Sequence, residues 1–320
     1  MPQPSRAQVH AVDVPLTNIS TAYVQKEENF IARRVFPIVP VEKQSDKYYT
    51  YTKADFMRDE AQVRKGGTES AGSGYGLSTA SYSCDVFALH KDVDEQVRGN
   101  ADAAINPDRD ATIWLTQRML LRLEKQWAAD YFVTGIWGTS TTPSNLWSDY
   151  ANSDPVKDVL AGVTTILKNT GLMANKLVLG WEVYSMLRDH PDIIERIKYV
   201  TQGTTRAVTP QLLAAVFDLD EVLVAKAVNN TAVEGETAVQ AFVHGKHALL
   251  CYAAMSPGLL TPSAGYLFSW RAISGGLGAD IGIDRFYMPQ LKADRIEAQT
   301  AFDHKLVATD CGYFFESVVS

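Results

Sequence analysis

The sequence predicts an α+β fold that combines a region of alternating helices and strands with a long helix and a set of antiparallel strands. Three patterns predict it. A helical periodicity runs without interruption over residues 107–133, helix and strand patterns alternate over residues 153–260, and the tail from about residue 265 is nearly all strand by pattern. Because no helix separates the tail strands, we expect them to pair antiparallel with one another.

Length, composition and charge argue against several classes of protein. The 320 residues suffice for two domains or one domain with large extensions, and 46% of them are hydrophobic. The net charge is −7, and the first 70 residues hold ten Lys or Arg against nine Asp or Glu. The sequence therefore shows no basic arm or stripe of the kind that a dedicated nucleic-acid binder carries.

Targeting signals are not apparent in the sequence. No signal peptide and no apolar run of the ~18 residues needed to span a membrane are visible. The three cysteines, Cys84, Cys251 and Cys311, are far apart and fit buried thiols in a reducing cytosol. We expect a protein made in a cytoplasm, with no membrane contact.

The pattern of prolines and apolar residues over residues 1–45 predicts an extended N-terminal arm. Apolar groups alternate with prolines, as in the run Val35–Pro40, and each proline removes a backbone donor and fixes φ, which disfavours a packed helix. Apolar side chains in such an arm need a covering surface. We therefore expect the arm to lie along the body of the chain or along a neighbouring molecule.

Residues 46–92 predict a long two-stranded loop. Strand patterns at Lys47–Lys53 and Ser81–His90 flank a polar stretch that contains the glycine-rich run Gly72–Gly76. Glycine is usually found at a hairpin tip because it can adopt positive φ angles, and its presence there does not indicate a binding site. An isolated two-stranded ribbon is only marginally stable in water, so this hairpin makes physical sense mainly if another molecule supports it.

The helical pattern over residues 107–133 is well delimited. Asn106 is a good N-cap, Pro107 suits the first helical position, and Gly135 ends the helix. At ~1.5 Å per residue the helix is about 40 Å long, longer than the core of a small domain requires. It is predicted to act as a spine.

This order of parts resembles the tailed-phage major capsid proteins of the Hong Kong 97-like fold. Local segments match as well, and the individually weak motif Arg188–Asp192 gains weight from its position after a strand and a helix. The similar segments are Lys176–Tyr184, Leu187–Ile193, Glu195–Tyr199, Asp303–Val307 and Asp310–Tyr313. The resemblance implies an extended arm (1–45), an extended hairpin loop (46–92), a peripheral domain with the spine helix (93–152), an apical α/β domain (153–260) and closing strands of the peripheral domain (261–320).

The resemblance also implies a function and partners. We expect hexamers and pentamers that close into an icosahedral head around double-stranded DNA, which is held without sequence-specific binding. Because the arm starts almost at Met1, we expect a separate scaffold protein, together with a portal and possible decoration proteins. The expected location is the virion, after assembly in the cytoplasm of a bacterial host.

Sequence motifs for catalysis, cofactors or metals are weak. His244 and His247 have no further ligand nearby in sequence, so a turn is favoured over a metal site. Gly275–Gly278 precedes a strand pattern, whereas a nucleotide-binding loop precedes a helix. The pairs Asp192 with Glu195 and Asp303 with His304 are of a kind that arises by chance. We predict no catalytic, cofactor or metal residue.

Contacts between subunits are predicted for a small set of arm and hairpin residues. These are Phe36, Arg58, Asp59, Glu60, Arg64, Lys65 and Tyr75. Two alternatives stay open: an encapsulin, which has the same fold around an enzyme cargo, and a cytosolic enzyme built on residues 153–260. The enzyme predicts a pocket where polar groups converge.

Overall fold

The computed structural model describes residues 24–101, 106–200, 208–258, 260–273 and 281–320. Residues 1–23 of the predicted arm and the segment Gly275–Gly278 lie outside the described residues. No helix in the described ranges is long and apolar enough to cross a membrane.

The described part of the arm packs against its own chain. It contains a 3-10 turn (Glu27–Asn29), a short helix α1 (Ala32–Val35) and a strand β1 (Ile38–Val41). The prediction of an arm without a packed helix is wrong here, because Ala32 and Val35 of α1 are fully buried. At this point the arm lies along the body of its own chain.

The hairpin is shorter than predicted. Strand β2 (Ser45–Tyr51) is followed by a turn of helix α2 (Lys53–Phe56) and pairs antiparallel with β3 (Leu77–Ser83). The second predicted strand, Ser81–His90, is in fact divided at Cys84, whose side chain is buried and whose N–H donates to the carbonyl of Gln44. Strand β4 (Asp85–Asp94) leaves the hairpin and joins a larger sheet.

The spine helix forms as predicted. A short helix α3 (Glu95–Gly99) precedes the 25-residue helix α4 (Pro107–Tyr131), and the side chain of Asn106 accepts the N–H of Arg109 at 3.1 Å. The described chain then continues into the short strand β5 (Thr139–Thr141).

Helices and strands alternate in the next region, as the sequence predicts. In chain order they are α5 (Pro155–Thr170), β6 (Lys176–Gly180), α6 (Trp181–Arg188), α7 (Pro191–Val200), α8 (Pro210–Phe217), β7 (Glu221–Ala225), β8 (Val228–Asn230), β9 (Gln240–Phe242) and β10 (Ala248–Cys251). Helix α5 starts at a side-chain cap from Asp154 and ends at Gly171, which has a φ of 74°.

The tail strands divide between two sheets. They are β11 (Gly265–Trp270), β12 (Gly282–Met288), the 14-residue β13 (Ala293–Leu306) and β14 (Gly312–Phe315), with a 3-10 turn at Thr309–Cys311 before the last. The first sheet has the order β1-β11-β13-β12, and β4 pairs with β13. All its pairs are antiparallel except β1 with β11.

The second sheet has the order β5-β14-β10-β6-β7. Strand β14 therefore lies between β5 and β10, with Phe314 opposite Leu249. The expectation that all tail strands pair with one another is wrong for β14. Helices α5 to α8 cover one side of this sheet and enclose a core that includes Val163, Leu177 and Leu213.

A second core lies where α1, the end of α4 and the other side of the second sheet meet. Trp127, Tyr131 and Phe132 of the α4 region pack there against Val178, Leu249 and Phe314. These three aromatic side chains of the spine helix and its end are thus core residues, and this core joins the two sheets into one body.

Candidate assembly surfaces

The tip of the hairpin carries an exposed aromatic cluster. Tyr51, Phe56 and Tyr75 contact one another with ring centroids 5.7 to 5.8 Å apart, and their exposed fractions are 41%, 58% and 66%. Large apolar surfaces of this kind are normally covered, so the tip is a candidate surface for contact with another molecule. Of the predicted contact residues, Tyr75 lies here.

The charged residues predicted for the same surface lie along the polar loop between α2 and β3. Arg58 pairs with Glu60 at 3.2 Å, Glu60 also accepts the hydroxyl of Ser73, and Arg64 donates to the carbonyl of Thr68 at 2.8 Å. Asp59 and Lys65 are exposed. Because Arg58, Glu60 and Arg64 bond within the loop, they shape it and still face solvent.

Phe36 is not on an exposed surface. Its side chain is 1% exposed. The centre of its ring lies 5.6 Å from that of Tyr131, which it meets edge-on, and 6.0 Å from that of Trp127, to which it is tilted. This described part of the arm is covered by the spine helix of its own chain, so Phe36 is a core residue of its own chain and not the intersubunit contact that we predicted.

The base of the hairpin is fixed to the body. Tyr82 stacks on Phe268 with a centroid distance of 4.5 Å, and the N–H of Ser83 donates to Asp303 at 2.8 Å. At the other end of β2, Lys53 pairs with Asp310 next to β14, so the body also contacts the side of the hairpin near its tip. The tip is exposed, but these contacts set the direction in which the hairpin leaves the body.

A closed ring of ion pairs fixes the start of the spine helix. Arg98 bonds Asp108 at 2.8 Å and Asp294 at 2.6 Å, and Arg285 bonds the same two carboxylates at 3.3 Å and 2.6 Å. The hydrogen bonds from Arg285 and then Arg98 hold the pKa of Asp294 below its usual value. The ring joins α3, α4, β12 and β13, which lie far apart in sequence.

Glu124 is a buried acid at the junction of three segments. Its two carboxylate oxygens accept the N–H groups of Ile31 at 3.1 Å and Ala32 at 2.8 Å, and Nε2 of His244 lies 3.4 Å from Oε1. The two hydrogen bonds lower the pKa of Glu124, but burial raises it by more, so that the pKa is about 7. The carboxyl group ties the arm to the spine helix.

His244 is neutral beside this acid. Burial lowers the pKa of its ring to about 3, and within the described residues neither ring nitrogen has a hydrogen-bond partner. Although the two side chains are close enough for an ion pair, both groups are desolvated, and the buried imidazole stays uncharged. Glu124 was missed in the sequence, where its signal is an acid between Leu123 and Trp127 on the apolar face of a helix.

The histidines considered as metal ligands have structural roles. His244 and His247 flank a turn at residues 245–246, as predicted, and Nδ1 of His247 accepts the N–H of Ser317 at 3.0 Å. In the described ranges no three His, Cys, Asp or Glu side chains are grouped so that they could hold a metal ion.

Asp303 and His304, considered above as an acid–base pair, make structural contacts. Asp303 accepts the N–H of Ser83 and pairs with Lys305, whereas His304 is buried between Tyr131 and Phe302. The buried His190 explains the Arg188–Asp192 motif, since its Nε2 lies 3.0 Å from the hydroxyl of Ser153 and its Nδ1 accepts the N–H of Asp192 at 3.3 Å. The ring thereby joins α7 to the segment that precedes α5.

Full-length similarity links the chain to coat proteins of phages. It is 27% identical over 315 residues to the major capsid protein of Pseudomonas phage JBD67, covering 97% of each chain. It is 24% identical over 322 residues to the major capsid protein of Burkholderia phage BcepMu, covering 98% of each. No family model matches the chain.

Solved structures show the same fold. A phage-related protein from Bordetella bronchiseptica matches with a TM-score of 0.66 at 22% identity, over 92% of this chain and 93% of that one. The capsid protein of cyanophage P-SCSP1u matches with a TM-score of 0.61 at 9% identity, over 93% and 90%. The chain therefore has the Hong Kong 97-like fold of phage capsid proteins, and over its full length its sequence is similar to phage major capsid proteins.

Proposed function

We infer that the chain is a major capsid protein, a structural protein that assembles with copies of itself into hexamers and pentamers of an icosahedral head. The observation that carries this function is the hairpin, whose tip presents Tyr51, Phe56 and Tyr75 to solvent while its base is anchored to the body through Tyr82 and Ser83. Both curated relatives span the whole chain and are phage coat proteins, which favours a phage head over an encapsulin.

We propose that the hairpin tip docks on a neighbouring subunit. In a monomer the aromatic cluster stays in water, where it contributes little, whereas in a shell every copy buries it against a neighbour. The exposed Asp59, Arg64 and Lys65 would surround this contact as a polar rim.

We also propose that the chain divides into the five parts stated above. The first sheet, with α4 across it, would form the peripheral domain, and the second sheet with α5 to α8 the apical domain. Strand β14 belongs to the second sheet, so the apical domain would also include residues 312–315.

Further partners follow from the function. A head needs a portal for DNA entry and a scaffold to set its curvature, and decoration proteins can bind its surface. We propose that assembly takes place in the host cytoplasm and that the shell encloses double-stranded DNA without reading its sequence.

Assembly of the purified chain tests the function directly. We expect light scattering and negative-stain electron microscopy to show rings of five or six, tubes or closed shells, either with the chain alone or with added crowding agents. A chain that stays monomeric at every concentration, also with crowding agents, and whose X-ray scattering shows no protruding hairpin contradicts the proposal.

The role of the hairpin charges is tested by the double variant Arg64→Glu/Lys65→Glu. We expect it to fold with an unchanged melting temperature while the yield of shells falls about tenfold or more, since like charges at a repeated contact add up over the assembly. The matched control is Lys157→Glu/Lys168→Glu, which changes the charge equally on the exposed face of α5. Equal yields from the two variants contradict the hairpin contact.

A further inference from the structure

The exposed side of the spine helix carries a row of cations. Arg118, Arg122 and Lys125 are exposed at positions 118, 122 and 125 of α4, and Lys91 of β4 lies beside them. We call Lys91, Arg118, Arg122 and Lys125 the basic stripe. Residues four and three apart share one side of a helix, and at ~1.5 Å per residue the helical part of the stripe spans about 10 Å.

Aromatic rings hold three of the four cations in place. The Nζ of Lys91 lies 5.6 Å and the guanidinium of Arg118 lies 5.2 Å from the ring centre of Trp114, which is 41% exposed. The guanidinium of Arg122 lies 4.8 Å from the ring centre of Phe87. A cation on a ring face is oriented but not neutralised. Arg122 donates one N–H to Oε1 of Gln126 at 2.8 Å, and its charge stays available to an anion.

The two acids adjacent in sequence to members of the stripe, Glu124 and Asp92, bond elsewhere, and Asp130 reaches Arg122 only through the side chain of Gln126. The ion pairs of the described residues include none of its four members. Glu124, the acid closest in sequence, is buried on the opposite side of the helix, and Asp92 on β4 is held by both Nε and Nη2 of Arg295. In a chain with a net charge of −7, this side of α4 is a local concentration of positive charge.

We propose that the basic stripe faces the interior of the shell and binds the phosphate backbone of the packaged duplex. The planar guanidinium groups suit phosphate oxygens, and a straight row on a rigid helix fits the regular array of charges on DNA better than it fits a flexible acidic peptide. The stripe offers no element that reads base edges, so the contact is independent of sequence. This inference rests on the proposed function, since it concerns the content of the shell.

Salt dependence of DNA binding provides the test. The full chain would be titrated onto a short fluorescein-labelled duplex, and anisotropy would be followed between about 50 and 200 mM salt, where each phosphate contact contributes about −0.9 to the slope of log K against log salt. We expect Lys91→Gln/Arg118→Gln/Arg122→Gln/Lys125→Gln to flatten the slope by about 3 to 4 and to weaken binding about tenfold or more at the lowest salt.

Two controls separate charge from folding. Lys157→Gln/Lys168→Gln/Arg188→Gln/Arg196→Gln removes four exposed cations from α5, α6 and α7 and is expected to leave the slope within about 1 of the wild-type value. Arg118→Lys/Arg122→Lys keeps the charge of the stripe and is expected to keep the wild-type salt slope within about 1. An equal loss of binding in the α5 to α7 variant, or an unchanged slope in the stripe variant, overturns the inference.

The outcome also distinguishes the inference from the proposed function. Shell formation by the stripe variant, seen by electron microscopy, reports on the proposed function alone. Suppose that shells form while the duplex fails to bind the wild-type chain. If polyglutamate then binds the wild type, and the stripe variant no longer binds it, the stripe takes an acidic protein segment and the inference is wrong.

Discussion

Replacing Glu124 by glutamine is expected to change how the stability of the chain depends on pH. The side chain is buried, its pKa is raised from 4.5 to about 7, and glutamine has nearly its shape but cannot ionise. A pKa difference of one between the folded and unfolded chain corresponds to about 1.4 kcal/mol. Ionising Glu124 therefore costs about 3 kcal/mol more in the folded chain than in the unfolded chain.

The direction follows from proton linkage. Between the unfolded pKa of 4.5 and the folded pKa of about 7 the folded chain holds the proton more tightly, so this group's contribution to stability is fully present below pH 4.5 and is lost as the pH rises through 7. His244 acts in the opposite direction between its folded pKa of about 3 and its ordinary 6.5, and this contribution is common to both proteins. It therefore cancels when they are compared.

The substitution also has an effect that does not depend on pH. Glutamine can keep one of the two hydrogen bonds from Ile31 and Ala32, and the loss of the other leaves a buried N–H that costs about 1–3 kcal/mol. We therefore expect Glu124→Gln to be less stable than the wild type near pH 5 and at least as stable near pH 8, a change in their difference of about 2.5 kcal/mol.

Urea unfolding followed by tryptophan fluorescence measures this difference. Trp127 lies in the core that contains Ile31 and Ala32, the hydrogen-bond partners of Glu124, and contributes to the emission of the six tryptophans. Glu195→Gln, an exposed change on α7, is the control and should differ from the wild type by less than about 0.5 kcal/mol at both pH values. If the difference between Glu124→Gln and the wild type is the same at both pH values, the carboxyl group is not the buried, proton-binding group described here.

Two further substitutions test single contacts of the fold. Asn106→Ala removes the cap of the spine helix and should cost about 1 kcal/mol in thermal or urea unfolding, whereas Asn106→Asp should keep nearly all of it; equal losses in both would show that the side-chain cap contributes nothing. Gly312→Ala places a methyl group on the ring of the buried Trp137 and should cost about 1–3 kcal/mol or more, whereas Gly99→Ala, where nothing lies within 4 Å, should cost less than about 1 kcal/mol; a Gly312→Ala protein as stable as the wild type would refute the close approach of β14 to that ring.

Local signals allowed the elements to be predicted well. The spine helix was predicted over 107–133 and spans 107–131, because its cap, its first-position proline and its apolar spacing are all contained in one segment. The same holds for α5, where Asp154 and Gly171 mark both ends. The fold class followed from the order of such segments.

Long-range pairing was not predictable from these signals. Nothing in Gly312–Phe315 distinguishes a strand that pairs with β13 from one that enters the second sheet, since both choices bury the same aromatic side chains. For the same reason Phe36 was assigned to a neighbouring subunit: the sequence shows that its ring must be covered but not by which chain.

Buried and clustered charges were also missed. Glu124 resembles any surface acid of a helix until Ile31 and Ala32, more than 90 residues earlier, are seen to donate to it. The ring of Arg98, Asp108, Arg285 and Asp294 is likewise formed by residues from separate segments, and the basic stripe joins Lys91 of β4 to three cations of the spine helix. A count of acidic and basic residues along the sequence does not show such groups, because it does not tell which charged side chains lie close together in the fold.

The position of β14 between β5 and β10 has a consequence for the timing of folding during synthesis. Strands β5 and β10 leave the ribosome first, and they stay without their common neighbour until residues 312–315 have been made. At ~5–20 residues per second, the roughly 60 residues from β10 to β14 take about 3 to 12 s to translate. During that interval β10 presents an unpaired edge, which is where nascent chains on neighbouring ribosomes can join wrongly. Only a chain translated through β14 has a second sheet in which β10 is paired on both sides.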